Sequence, residues 1–141
     1  MNLEPASFEL IKNKTKTVEM RLNDEKRSKI QLKDIIEFVN VKTNESLLVK
    51  VINLYRYPTF FELYLHHEKH SIGYLENETP NPDDMLNYYT KEQIEKYGVL
   101  AIEIQVMKLK TINKESLNEK KPFTFFSHNL PVRVKRLLSS Q

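Results

Sequence analysis

From Thr17 to Leu22 the chain alternates between polar and apolar residues without a break. In an extended strand successive side chains point to opposite faces. Val18, Met20 and Leu22 therefore share a face suited to a core. Thr17, Glu19 and Arg21 share the other, about 7 Å apart from one to the next. The first strand is read as Lys16 to Leu22. Before it, Pro5 suits the first turn of a helix with Phe8, Leu10 and Ile11 on its apolar side, closed by a left-handed Asn13. After it, Asn23 to Lys33 reads as a polar loop anchored by Ile30 and Leu32. Ile35 to Asn40 and Ser46 to Tyr55 read as two more strands, joined by a turn at Lys42-Thr43-Asn44-Glu45 and hence antiparallel.

Pro58-Thr59 opens a helix from Phe60 to about His67, with Phe60, Leu63, Tyr64 and His67 on one face. Glu76 to Asp84 is a loop rich in Pro, Asn and Asp, and Asp83 or Asp84 is expected to cap a short helix ending at Tyr89. Thr90-Lys91-Glu92-Gln93 fits a capping box, and that helix stops at Gly98. Val99 to Leu109 is the last strand. Helices cluster between strands instead of alternating with them. The expected class is α+β: a small barrel of about five to six strands with helices packed at its side.

Composition narrows this picture. A chain of 141 residues is expected to form one main domain, here 1–110, with 111–141 as a basic, Phe-containing extension. Without cysteine it holds neither disulfides nor thiolate metal sites. Met1 to Leu10 lacks the basic start and apolar run of a secretion signal, and no stretch reaches about 18 apolar residues. A cytoplasmic protein without a membrane partner is expected. Net charge is only +3, but Lys12 to Lys33 holds eight Lys/Arg against three Asp/Glu, and Thr111 to Gln141 six against two. Either these lysines are wet surface, or they meet an anionic, phosphate-bearing partner.

Four segments carry a family resemblance: Phe8-Glu9-Leu10-Ile11-Lys12, Lys16-Thr17-Val18-Glu19-Met20-Arg21, Lys33-Asp34-Ile35-Ile36-Glu37-Phe38, and Tyr97-Gly98-Val99-Leu100-Ala101-Ile102-Glu103-Ile104. Together, over roughly Met1 to Lys110, the chain resembles the ASCH domain, a family with the PUA-like fold. Two positions depart. Lys14 and Lys33 stand where the family usually has glycine. The resemblance implies a cleft between barrel and helices lined by the Lys-Thr-x-Glu-x-Arg strand, and RNA binding or nucleotide chemistry. In acetylcytidine-hydrolysing members a nucleophilic threonine follows the motif lysine by three residues. Glu19 holds that position here, and a carboxylate does not replace that nucleophile.

Candidate site residues follow. Glu19 and Arg21 form either an exposed same-face ion pair or a recognition pair, with Arg21 binding a phosphate or carbonyl and Glu19 accepting from a base amino group. Lys16 is a phosphate contact or a catalytic amine. Thr17 lies on their face or simply favours a strand. Lys26, Arg27 and Lys29 form a basic loop able to hold a nucleic-acid backbone, or an ordinary solvated one. In the hydrolase alternative, Glu19 is the base and Lys16 the electrostatic stabiliser. His66 and His70, spaced i, i+4, have the spacing of metal ligands on a helix, but no third ligand is evident, so neither metal nor cofactor is expected. Residues 122–138 place three phenylalanines beside Arg133, Lys135 and Arg136: a docked barrel flank, a stacking surface for RNA, or a contact for a protein partner.

Overall fold

The computed structural model describes residues 1–110 and 134–135. Its elements are β1 (Asn2–Leu3), α1 (Pro5–Lys12), β2 (Val18–Leu22), β3 (Ile35–Asn40), β4 (Ser46–Tyr57), α2 (Phe60–His66), α3 (Lys91–Tyr97), β5 (Val99–Lys110) and β6 (Val134–Lys135), with 3-10 turns at Arg27–Lys29 and Pro82–Asn87. The strands form one mixed sheet in the order β1-β3-β4-β5-β2, curled as a half-barrel, with β6 parallel to β3. This is the expected α+β architecture. Phe123, Phe125, Phe126, Arg133 and Arg136, expected to form a docked flank or a contact surface, lie outside the described residues.

The long β4–β5 pair is the spine of the sheet. Its register shifts between Leu48 and Val49 and again between Val51 and Asn53, and such bulges bend and twist a strand. Two apolar clusters lie on its opposite faces. On the inner face Leu100, Ile102 and Ile104 pack with Phe8 and Ile11 of α1 and with Ile36, Phe38, Leu47, Val49 and Val51. On the outer face Val99 and Ala101 pack with Val18, Met20 and with Phe60 and Leu63 of α2. Each fully buried Phe or Leu here contributes about 1.5–3 kcal/mol.

Thr59 caps α2 through Glu62 N, and Thr90 and Gln93 form the reciprocal capping box of α3. Several details differ from expectation. Asn81, not Asp83 or Asp84, caps the 3-10 turn at Pro82–Asn87, because its side chain accepts from Asp83 N. Leu32 is exposed, and Ile30 alone anchors its loop. Strand β2 starts at Val18, since Thr17 N and Val18 N both donate to the same Ser71 carbonyl and so break the pleat.

The left-handed residue after α1 is Lys14 (φ 69°), not Asn13 (φ −88°). Lys14 N donates to Ile11 O and Thr15 N to Leu10 O, the paired closure of a Schellman motif. Lys33, before β3, has φ 73°. Both family glycine positions thus keep the glycine-type backbone with lysine in place. Lys14→Gly and Lys33→Gly are each expected to stabilise the protein by about 0.5–1 kcal/mol, because strain relief outweighs the added freedom of the unfolded chain. Urea denaturation midpoints of the two variants check this.

Candidate functional site

Register places the motif. Glu19 lies opposite Ile102 and Arg21 opposite Leu100, so both point to the inner face of the sheet. Val18 and Met20 point to the outer face, against α2. Among apolar neighbours a charge is tolerated only when paired. Glu19 is 4 % exposed and flanked by two cations. Arg21 Nε donates to its Oε2 at 2.6 Å, and Lys16 Nζ lies 2.9 Å from its Oε1. Lys16 Nζ also donates to Ser7 Oγ of α1 at 2.7 Å, and an Arg21 Nη2 hydrogen goes to Asn2 O at 2.8 Å. The helix start and β1 thereby fix the row from above.

Burial alone would raise the Glu19 carboxyl pKa. Lys16 and Arg21 outweigh it and hold it at about 2. For Arg21 burial works against the charge, and Glu19 overcomes it, so its pKa is raised. The triad carries one net positive charge in the ionised state. It lies along a cleft of about 640 Å³.

The opposite wall is aromatic. Tyr64, Tyr74, Tyr88 and Tyr89 line the cleft together with Met85 and Ile72. Tyr74 donates to Asp84 Oδ2 at 2.6 Å, which leaves Tyr64 to donate to the Tyr74 oxygen at 2.9 Å. Burial, then this bond, raises the pKa of Tyr64. Tyr89 is also raised by burial, with Arg21 pulling the other way. Gly73 closes the base of the wall: a β-carbon there would sit 3.2 Å from Lys16 Cδ. Glu4, Glu78 and Asp84 stand at the cleft, and Glu78 accepts from Leu75 N at 2.6 Å.

The structure brings together Lys16, Glu19 and Arg21. It separates the other candidates from them. Thr17 lines a second hollow, because the broken pleat turns it away from Glu19. Arg27 is buried and folded back onto Asp24 Oδ2 at 2.7 Å, since Asp24 also caps its turn through Arg27 N. Lys26 and Lys29 are exposed, and none of the three lines the cleft. His66 and His70 share no helix face, since α2 ends at His66. His66 Nδ1 meets Glu62 O, while His70 meets Glu68 and Glu76. Sequence reasoning missed Ser7, Gly73 and the tyrosines. Gly73 had a signal: a chain with two glycines keeps each where the backbone requires it, and Gly73 has φ 108°. The tyrosines had none as cleft residues, because Tyr64 of α2 and the other three, from the segment between α2 and α3, meet β2 from a distance in sequence.

The family model of the ASCH domain matches residues 1–108. A crystal structure of the hypothetical protein PH0355 is 33 % identical, with a TM-score of 0.65, covering 76 % of this chain and 96 % of that one. The solution structure of protein PF0455 from Pyrococcus furiosus is 31 % identical, with a TM-score of 0.54, covering 77 % and 99 %. No curated protein matches the chain. With the half-barrel, the helices at its side and the family match over most of its length, the chain belongs to the ASCH domain family.

Proposed function

We propose that the cleft binds a nucleotide or the end of a single-stranded RNA. The observation that carries this reading is the buried Lys16–Glu19–Arg21 row facing a tyrosine wall across one cleft. A base stacks on aromatic faces, and each stacked base contributes about 1–3 kcal/mol. Arg21 and Lys16 meet a carbonyl or a single phosphate. Glu4, Glu78 and Asp84 oppose a longer phosphate track, so one nucleotide unit fits better than a strand lying along the cleft. Glu19, held near 2, is too weak a base for proton removal at neutral pH, and its role is to fix the two cations.

Arg21→Ala is expected to weaken binding of mononucleotides and short single-stranded RNA at least fivefold, the effect of one charged hydrogen bond of about 1 kcal/mol or more. Fluorescence titration with folded protein checks this, and Arg21→Lys separates charge from fork geometry. The slope of log affinity against log salt should be about −1, as for one phosphate contact. Equal affinity in wild type and Arg21→Ala would remove the proposal.

A second reading, a hydrolase acting on RNA or a modified nucleoside, draws on the Ser7 hydroxyl 2.7 Å from the Lys16 amine. Turnover of an acylated nucleoside or RNA that disappears in Ser7→Ala would replace binding with catalysis.

A further inference from the structure

On the other side of β2 lies a second hollow of about 440 Å³, lined by Thr17, Val18, Tyr55, Tyr57, His66, His67, Ser71 and Glu103. Tyr55 and Tyr57 lie opposite Ala101 and Val99, and Glu103 opposite Val18, so all three share the outer face of the sheet. The end of α2 brings the two histidines over them. Tyr57 stacks on His66 with centroids 5.4 Å apart, and His67 stands edge-on to Tyr55 at 5.1 Å and to Tyr57 at 5.7 Å. Tyr57 Oη and His67 Nε2 are 2.9 Å apart. Tyr55 donates to Glu103 Oε1 at 3.0 Å.

Four aromatic rings and one carboxylate meet here, and no lysine or arginine is among the described lining residues. Ring faces carry negative potential, and burial lowers the His67 pKa against the pull of Glu103, which favours the neutral imidazole. Glu103 Oε2 has no hydrogen bond among the described residues, so the carboxylate keeps acceptor capacity. His66, His67 and Glu103 do not converge on one point as metal ligands would. Ring faces with a carboxylate attract an organic cation. We propose that this hollow is a cage for an alkylammonium group, with Tyr55, Tyr57 and the imidazoles supplying ring contacts and Glu103 the counter-charge. It lies across β2 from the Lys16–Glu19–Arg21 cleft and does not depend on what that cleft binds.

The test is titration of the full chain with choline, followed by NMR of the tyrosine and histidine ring signals. Its neutral isostere, 3,3-dimethylbutan-1-ol, is the control. Choline is expected to shift the His66, His67, Tyr55 and Tyr57 signals with millimolar affinity, and the alcohol to bind at least fivefold more weakly. Glu103→Gln, which preserves shape, should weaken choline at least fivefold. Tyr57→Leu should abolish binding, and Tyr57→Phe, which keeps the ring, should stay within threefold of wild type and serves if the leucine variant does not fold. The same cation can arrive free or on a lysine side chain. A parallel titration with acetyl-trimethyllysine methylamide distinguishes the two, and tighter binding of either supports the cage and names its source. Equal binding of alcohol and choline, an unaltered affinity in Glu103→Gln, or no shift of these rings with either cation would overturn it.

Discussion

Replacing Glu19 with alanine is expected to destabilise the fold by about 3–5 kcal/mol, the usual cost of leaving buried charges without their partner. Lys16 and Arg21 are both about nine-tenths buried at the side chain, and both aim at this one carboxylate. The control is the triple variant Lys16→Met/Glu19→Leu/Arg21→Met. Removing all three charges together leaves no orphan, so its stability should return to within about 1–2 kcal/mol of wild type. Nucleotide binding should be lost in both. Denaturant unfolding with a binding assay separates the two effects. A triple variant as unstable as Glu19→Ala would mean that shape, not charge pairing, sets the cost.

The same carboxylate sets a pH dependence. Its folded pKa is about 2 against an ordinary 4.5, so the folded state holds fewer protons than the unfolded chain in between. The contribution is complete above about 4.5 and is lost as pH falls from there through about 2. Its size is on the order of 3 kcal/mol. Wild type should therefore lose stability between pH 5 and 2 more steeply than Glu19→Gln.

Gly98→Ala is expected to cost about 3 kcal/mol. Gly98 joins α3 to β5 with φ 72° and ψ −174°, a region open almost to glycine alone. An added β-carbon would sit 3.1 Å from the Tyr57 carbonyl, which is backbone and cannot swing aside. The residue is also tied at both ends, with its N–H on Ile94 O and its carbonyl accepting from Asn23 N just past β2. Strain here is passed to the strand that carries the charged row. A urea midpoint within 1 kcal/mol of wild type would show that the turn relaxes freely.

Much of the fold was legible because it rests on local rules. Strict alternation marked β2, the Thr90–Gln93 spacing marked the start of α3, and Ile35 to Asn40 matched β3 to the residue. What escaped was decided by partners distant in sequence. Strand β1 is two residues long and exists because Asn2 and Leu3 lie beside Val39 and Asn40. Thr17 kept the right parity but lost its face, because Ser71 O takes two consecutive amides. The basic loop read either as a ligand contact or as solvated surface, and within it Asp24, three residues earlier, captures Arg27 while Lys26 and Lys29 stay exposed. At the cleft, Lys16, Glu19 and Arg21 could be read from one strand, whereas Ser7 and the tyrosine wall depend on how α1 and the loops after α2 close over it.

Five residues, Val18 to Leu22, separate two rooms of opposite chemistry. Glu19 and Arg21 furnish the charged one, and Val18 and Met20 pack in the cluster that holds Phe60 and Leu63 of α2. Deleting or duplicating any single codon inside this span would exchange the occupants, driving a carboxylate into an oily seat and stranding methionine beside water. The strand thus accepts change of side chain far more readily than change of length.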